Sequence, residues 1–316
     1  MHDSNVGLPT EQRQWIEREL FLRAFFPVKP PAEAAHRLAQ MLRDRHVKAG
    51  DVLFEQGDRP QYAYYIASGE VRMHAPDRDD LVFDANSLIG IVDLNIGRPC
   101  VWTAVATKDS HVLELHYPRW LEILEDFPDF TAAARRFVAT GLHELVLSFA
   151  PTGGFDQTSQ SSAPAADSDI VSRVVMLRRL KHFDTATVQS IAEVAARGEI
   201  LTPAAGELVI PPGTSRERLL LVMRGTVHVE RRIAPFIRGT FGPGQIVLDG
   251  AAFSSALSSY AVVAGAGATI FAIDHAEIDD IADDHFALVR SMMRGSALHR
   301  DNLIRLRRKS VNPSAT

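Results

Sequence analysis

Apolar positions fall in short groups, separated by glycines, in two parts of the chain. The groups Val52–Phe54 and Tyr64–Ile66, and later Leu208–Ile210 and Leu219–Val222, have the length of β-strands. Glycine supplies the positive φ angle that a tight turn needs, so the breaks between the groups indicate sharp turns. The pattern predicts two blocks of short strands, which is typical of jelly-roll β barrels.

The two blocks repeat one another. The stretch AGDVLFEQGDRPQYAYYIASGEVRM aligns without a gap with AGELVIPPGTSRERLLLVMRGTVHV. The aligned glycines, at a constant offset of 156 residues, are Gly50 with Gly206, Gly57 with Gly213 and Gly69 with Gly225. An internal repeat of this length predicts two copies of one domain.

Helical periodicity flanks both blocks. Apolar residues recur at three- and four-residue steps in 32–45, 118–149, 185–198 and 275–309. Each half of the chain is therefore expected to run helix, barrel, helix, helix. The predicted fold class is mainly β with flanking helices (α+β), built from two tandem jelly-roll barrels.

The composition divides the chain near its middle. Residues 150–169 concentrate Gly, Ser, Pro, Gln and Asp and offer little to bury, which is the composition of a flexible linker. The sequence thus predicts a helical lead-in at 1–29, a first domain at 30–149, a second domain at 170–309 and a tail at 310–316.

Charge and cysteine content narrow the class of protein. The 34 Lys and Arg against 39 Asp and Glu give a net charge of −5, which argues against a nucleic-acid-binding body. The single cysteine excludes a disulfide framework and fits a reducing compartment. We see no signal peptide, and the uncharged stretch 250–273 is predicted to form two buried strands rather than a membrane span. We expect a cytoplasmic protein with no membrane association.

The glycine framework, followed by a Gly-containing loop and a terminal helix, resembles the cyclic nucleotide-binding domain family. The resemblance covers 30–149 and 170–309 as tandem copies. Tandem copies look like the regulatory subunits of cyclic-nucleotide-dependent kinases, while single-copy relatives include bacterial Crp/Fnr-type regulators. The resemblance implies a bacterial-type signalling protein that senses rather than catalyses.

The family's phosphate cassette reads F-G-E-x-A-L, a short spacer, then P-R-x-A-T-V-x-A. In the family, the Arg faces the cyclic phosphate and the Glu holds the ribose hydroxyl. Laid on SLIGIVDLNIGRPCVWTAVA, the pattern keeps Gly90, Leu94, Pro99, Thr103 and Ala106. Ile91 stands at the Glu position and Cys100 at the Arg position. The sequence therefore predicts a first cassette that has kept its architecture and lost its two main ligand contacts.

Three side chains of this loop leave alternatives open. Arg98, one residue before Pro99, could reach the phosphate from a shifted loop or could be a solvated surface arginine. Cys100 could be a redox switch, although a lone cysteine beside apolar neighbours favours a buried structural role. Trp102 could stack on a base or fill the barrel wall.

The second cassette, GQIVLDGAAFSSALSSYAVVA, departs further from the pattern. Leu248 replaces the Gly, Asp249 replaces the Glu and Ser258 replaces the Arg. Asp249 could still contact a ribose, and Ser258 and Ser259 could donate neutral hydrogen bonds. No cation remains to neutralise a buried phosphate.

Other chemistry is not indicated. We find no catalytic constellation, no spaced metal ligands and no cofactor motif, and His74 with Cys100 gives only a weak basis for comparison with haem sensors. There is no room for a helix-turn-helix module after 275–309, so no sequence-specific DNA binding is expected. The basic residues of Arg300–Lys309 fit a helix C-terminus, and they could also contact nucleic acid or an acidic partner.

These observations predict a non-catalytic sensor or adaptor that does not bind cyclic AMP or cyclic GMP in the usual way. We expect a protein partner, and a homodimer could form through the helix after barrel 1 or barrel 2. The alternative is a genuine cyclic mono- or dinucleotide receptor with a rebuilt pocket that uses Arg98 and Asp249.

Overall fold

A computed structural model describes residue 18 and residues 30–76, 78–149, 169–215, 217–231, 237–248, 258 and 260–311. The chain separates into two compact units, Met1–Ala134 and Arg135–Thr316. The lead-in at 1–29, apart from residue 18, lies outside the described residues, as do the linker residues 150–168 and the tail from 312. The predicted domain boundaries stay predictions.

The first unit holds an antiparallel β barrel, here called barrel 1. One sheet has the strand order β1-β8-β3-β6 and the other has the order β2-β7-β4-β5. The strands are β1 (Arg43–Val47), β2 (Val52–Phe54), β3 (Tyr62–Ser68), β4 (Glu70–Ala75), β5 (Arg78–Asp84), β6 (Ser87–Ile89), β7 (Thr103–Ala106) and β8 (Ser110–His116). The predicted fold class is confirmed for this half of the chain.

The helices that precede, interrupt and follow barrel 1 in the chain are α1 (Ala32–Met41), α2 (Ile91–Ile96), α3 (Tyr117–Asp126) and α4 (Pro128–Phe149), and α4 belongs to the second unit from Arg135 onwards. The helical pattern predicted over 32–45 was wrong at its end. Residues 43–47 form β1 instead, because their backbone pairs with β8 from Glu114 to Ser110. Pairing in a sheet overrides a local helical periodicity.

The second unit holds barrel 2, preceded by two helices and followed by two more. Its helices are α5 (Ile170–Arg179), α6 (Val188–Arg197), α7 (His275–Asp284) and α8 (Phe286–Val311). Its strands are β9 (Glu199–Leu201), β10 (Leu208–Ile210), β11 (Arg218–Arg224), β12 (Val227–Arg231), β13 (Ile237–Phe241), β14 (Ala261–Ala264) and β15 (Thr269–Asp274). The sheets run β10-β14-β12-β13 and β11-β15-β9. A bridge between Leu221 and Ile246 stands where barrel 1 has β6.

Matching backbone hydrogen bonds show that the barrels are copies of one design. The amide of Gly50 donates to Ala106 O at 2.8 Å, and that of Gly206 donates to Ala264 O at 2.8 Å. The offset between equivalent residues rises from 156 at the glycines to 158 at the alanines, because the second copy carries two more residues between them. The tandem repeat predicted from the sequence is confirmed.

Strand alternation sorts the core of the second unit into two layers. On β11, Leu219, Leu221 and Met223 pack against the helices, whereas Leu220 and Val222 face the barrel interior. The stretch predicted to form two strands rather than a membrane span is β14 and β15, joined by a turn with Gly267 at φ +65°. Within the described ranges, no helix has both the length and the apolar character needed to cross a bilayer.

Candidate functional site

The cassette loop of barrel 1 follows β6 and contains the short helix α2. Gly90 precedes this helix with φ +82°, and Gly97 ends it with φ +76°. Both angles lie in the left-handed region that glycine adopts at little cost. Ile91 is the first residue of the helix and is half-buried. The two glycines therefore fix where the loop enters and leaves α2.

Asp93 lies at the centre of this loop with only 4% of its surface exposed. Its Oδ1 accepts a hydrogen bond from Arg98 Nε at 2.7 Å, and its Oδ2 accepts one from the backbone amide of Val101 at 3.1 Å. In the family pattern this position is the alanine of F-G-E-x-A-L. A carboxylate therefore lies inside the loop where the pattern places a methyl group.

The partner of Arg98 bears on the two roles open for this residue. Its side chain is 20% exposed and its guanidinium forms an ion pair with Asp93. Arg98 is thus partly buried and paired within its own loop. It is already engaged by a carboxylate of its own loop.

Cys100 is held by the barrel backbone. Its amide donates to Asp58 O at 2.9 Å, and its carbonyl accepts from Gly57 N at 2.8 Å. The side chain is 3% exposed, and burial raises the pKa of the thiol to about 11. A thiol with so little thiolate at neutral pH is a poor nucleophile. The geometry favours the structural role for Cys100.

Trp102 and Thr103 complete the predicted site of barrel 1. Trp102 is buried, and the guanidinium carbon of Arg78 lies 5.1 Å from its ring centroid, in a cation–π contact. Thr103 Oγ1 accepts a hydrogen bond from Gln56 N at 3.0 Å. Both side chains thus have partners within the barrel. Trp102 packs against Arg78, and Thr103 of β7 binds the backbone of the turn that follows β2.

Polar groups also lie inside barrel 1. Arg45 Nη1 is 3.3 Å from Glu114 Oε1, and Arg45 Nη2 donates to Val52 O at 3.2 Å. The Tyr64 hydroxyl donates to Leu53 O at 3.4 Å, and burial raises the pKa of this phenol. Barrel 1 therefore combines apolar side chains with a partly exposed ion pair and a buried phenol.

The described part of the second cassette is organised differently. Leu248 lies at the position of Gly90 and adopts φ +55°, an unusual angle for a leucine, with its side chain buried. The Ser258 hydroxyl donates to Tyr260 O at 2.6 Å, and Ser258 O accepts from Gly213 N at 2.6 Å, as Cys100 O does from Gly57. The candidates Asp249 and Ser259 lie outside the described residues.

The interior of barrel 2 is apolar at the positions where barrel 1 is polar. Leu201, Leu220 and Ala272 occupy the positions of Arg45, Tyr64 and Glu114. Tyr260 occupies the position of Trp102 and is fully buried. The cluster that fills this interior also contains Phe241, Leu248 and, from α8, Leu303.

Sequence reasoning missed Asp93 and Arg78. For Asp93 a signal was present, because an acidic residue stands where the pattern has alanine, in a loop expected to hold an anion. For Arg78 there was none, since its contact with Trp102 arises from strand pairing: both residues flank Ala75 at the end of β4. Among the residues that the structure describes, no group of three His, Cys, Asp or Glu side chains could hold a metal ion.

A family model described as "Cyclic nucleotide-binding domain" matches residues 44–127, which span barrel 1. Barrel 1 belongs to the cyclic nucleotide-binding domain family. Barrel 2 repeats its strand order and turn hydrogen bonds. No curated protein sequence matches the chain.

Solved structures with similarity to the chain include two kinase regulatory proteins. The regulatory domain of Toxoplasma gondii PKA with cAMP is 14% identical, with 85% of this chain and 92% of that chain covered and a TM-score of 0.34. The regulatory subunit of a cAMP-independent protein kinase A from Trypanosoma cruzi, bound to guanosine, is 15% identical. The match covers 97% of this chain and 90% of that chain, with a TM-score of 0.34. The sensor domain of the Pseudomonas aeruginosa transcriptional regulator DNR is 18% identical. The match covers 34% of this chain and 81% of that chain, with a TM-score of 0.32. The fold assignment rests on strand order and the family match.

Proposed function

We propose that the protein is a non-catalytic sensor or adaptor, in which neither barrel binds cyclic AMP or cyclic GMP with high affinity. Its surfaces transmit its state to a protein partner in the cytoplasm. In this proposal both barrels act as a scaffold that presents surfaces to the partner.

The observation that carries the proposal is the state of the first cassette. The arginine of this loop is paired with the Asp93 carboxylate, and Ile91 and Cys100 offer neither an acceptor for a ribose hydroxyl nor a cation for a phosphate. A phosphodiester anion entering the loop would meet a buried carboxylate of the same sign. Burying two like charges together is unfavourable.

The filling of barrel 2 supports the same proposal. The apolar cluster of barrel 2 includes Tyr260, Leu303 and Leu248, and Leu248 puts a buried side chain at the position of Gly90 in barrel 1. A ligand with a charged phosphate would have to displace buried hydrocarbon. Displacement of that kind costs both packing energy and desolvation of the charge.

Thermal unfolding of the purified protein against millimolar cyclic mono- and dinucleotides tests the proposal. A ligand with a micromolar Kd that binds only the folded state would add roughly 4 kcal/mol at millimolar concentration. All three tryptophans, Trp15, Trp102 and Trp120, precede residue 135, so their fluorescence reports the unit that holds barrel 1, and far-UV circular dichroism reports both barrels. We expect no change of midpoint with any of these compounds.

A rise in midpoint with one compound would contradict the proposal and favour the receptor alternative. The Arg98→Ala variant would then show whether that guanidinium holds the ligand. A homodimer through α4 or α8 stays a prediction, which sedimentation velocity across a concentration series tests.

A further inference from the structure

We propose that the cassette of barrel 1 is an oxyanion-binding site whose permanent occupant is the side chain of Asp93. The ligand class of the empty site would be a small carboxylate or phosphate-like oxyanion. The proposal rests on the proposed function, because a site filled from within leaves no place for a diffusible anion. It adds that the site itself is intact beneath its occupant.

The two donors that meet at Asp93 come from the part of the loop after α2. Arg98 supplies a guanidinium N–H and Val101 supplies a backbone N–H, and each reaches a different oxygen of the carboxylate. A charged donor and a backbone amide directed at two oxygens of one anion form an arrangement that proteins use to hold carboxylates and phosphates. The loop therefore presents anion-binding groups to a residue of its own chain.

Burial distinguishes this arrangement from an ordinary surface ion pair. The Asp109 carboxylate also accepts from one cation, Lys48 Nζ at 2.7 Å, and from one backbone amide, Ala49 N at 3.0 Å. Its side chain is 64% exposed, whereas the side chain of Asp93 is 5% exposed. When Asp109 is removed, water can replace it at both donors. When Asp93 is removed, two partly buried donors lose their shared acceptor.

The charge balance explains why a carboxylate suits this site better than a neutral group. The Arg98 guanidinium stays protonated at every physiological pH, so a neutral occupant would leave a buried positive charge without compensation. A carboxylate removes this charge and accepts the Val101 amide as well. The occupant is thus defined by its charge and its two oxygens, which a small free anion also possesses.

The Asp93→Ala variant tests the proposal by chemical rescue. Loss of the carboxylate should lower the unfolding midpoint, followed by tryptophan fluorescence, by roughly 5–10 °C. Formate at about 100 mM, compared with chloride at equal ionic strength, should restore at least a third of this loss by mass action on the folded state. Formate should leave the midpoint of the wild-type protein unchanged because its site is occupied.

Asp109→Ala is the matched control, since it removes a carboxylate with the same kinds of donor from the surface of the same barrel. We expect a shift below 2 °C and no specific response to formate. The double variant Asp93→Ala with Arg98→Ala should also lose the response to formate, because it lacks the cation that recruits the anion. A formate response equal in Asp93→Ala and Asp109→Ala would overturn the proposal.

Asp93→Asn keeps the proposal testable if the alanine variant does not fold. The amide fills the same volume without the charge, so we expect a lowered midpoint with no recovery in formate. A midpoint equal to that of the wild-type protein would show that the site needs no anion and would overturn the proposal.

The outcomes separate this inference from the proposed function. Stabilisation of the wild-type protein by a cyclic nucleotide would contradict the proposed function directly. An unresponsive wild-type protein together with an Asp93→Ala variant that formate does not stabilise would overturn the oxyanion site alone.

Discussion

Barrels 1 and 2 share a backbone and differ in what fills it. Both close their turns with the same hydrogen bonds, such as Gly57 N to Cys100 O and Gly213 N to Ser258 O. Inside, Glu114 of barrel 1 corresponds to Ala272 of barrel 2. The turns and the two-residue alternation fix the barrel, and the interior then accepts either paired polar groups or hydrocarbon.

The two barrels differ in whether a cation is available to pair with an acidic side chain. In barrel 1, Glu114 lies against Arg45 and Asp93 lies against Arg98, so each of these carboxylates has a cation beside it. In barrel 2 the arginine of the neighbouring strand, Arg218, is already paired with Asp274 and with Glu199. Glu199 is the cross-strand partner of Ala272, and Ala272 itself packs in an apolar cluster. The same acidic side chain should therefore be tolerated in one barrel and disruptive in the other.

The largest expected effect comes from moving the acid between the barrels. Ala272→Glu places a carboxylate in the interior of barrel 2, where the wild-type residue is 1% exposed. We expect the free energy of unfolding of barrel 2 to fall by at least about 4 kcal/mol, because Arg218 is already paired with two carboxylates and a buried charge without a partner of its own is strongly destabilising. Hydrogen exchange of β15 measures the loss.

The reciprocal change, Glu114→Ala, is the control. It should cost barrel 1 no more than about 1 kcal/mol, since the Arg45 side chain is 36% exposed and can be solvated. Tryptophan fluorescence reads this barrel separately. Equal losses in the two barrels would show that the interiors are not distinguished by their charge partners.

The second effect concerns the thiol that replaces the family's arginine. With a pKa of about 11, Cys100 carries roughly 100-fold less thiolate at pH 8 than a thiol of pKa 9. Its reaction with a disulfide reagent should be at least about 100-fold slower in the folded protein than in urea.

Moving the thiol to the second barrel sharpens this comparison. The variant Cys100→Ser with Ser258→Cys places it at the equivalent position, which is also buried. We expect the same protection there. Fast labelling of the folded wild-type protein would instead support the redox role for Cys100.

Several features of the barrels could be predicted from the sequence because they depend on local rules. The strands Val52–Phe54 and Leu208–Ile210 were predicted with their observed ends, since turns and apolar groups bound them closely. The helix predicted through residue 45 failed, because pairing with β8 is a long-range effect that periodicity does not contain. Helix α5 was not predicted, as its valines and arginines form no clear apolar stripe.

The candidate site was less accessible to sequence reasoning. A resemblance indicated which positions to inspect, and it placed Arg98, Cys100 and Trp102 in one loop. It could not indicate that Arg98 is paired with Asp93, because a pattern lists residue types and not their contacts. The pairing depends on the turn at Gly97, which brings Arg98 back towards α2, where its amide donates to Asp93 O at 3.1 Å.

A smaller effect on the free energy of unfolding is expected from substitutions at Gly90 and Leu248, the equivalent residues at which the two cassettes begin. Leu248→Gly relieves about 1 kcal/mol of left-handed backbone strain but loses a buried leucine worth about 2–4 kcal/mol, so a net loss of about 1–3 kcal/mol should follow. Gly90→Ala should cost barrel 1 about 1 kcal/mol, because a Cβ there would lie 3.4 Å from Tyr62 O at φ +82°. Urea unfolding measures both. A stabilised Leu248→Gly variant would mean that the leucine contributes less to packing than its burial indicates.

The smallest effect distinguishes Tyr65 of β3 from its counterpart Leu221 of β11. The Tyr65 hydroxyl donates to Asn86 Oδ1 at 2.7 Å, and burial raises the pKa of this phenol to about 12. Tyr65→Phe should therefore cost about 1 kcal/mol at pH 8, the usual net value of one such hydrogen bond. Urea unfolding followed by tryptophan fluorescence measures this loss in barrel 1.

The same variant should respond to alkali with a definite sign. In the unfolded chain the phenol ionises with a pKa near 10, whereas in the folded barrel it keeps its proton until about pH 12. The contribution of Tyr65 is fully present below pH 10 and is lost as the pH rises from 10 towards 12. The difference in free energy of unfolding between wild type and Tyr65→Phe should thus narrow between pH 10 and pH 11. A difference that stays constant over that range would show that the folded barrel lets this phenol ionise as freely as the unfolded chain does.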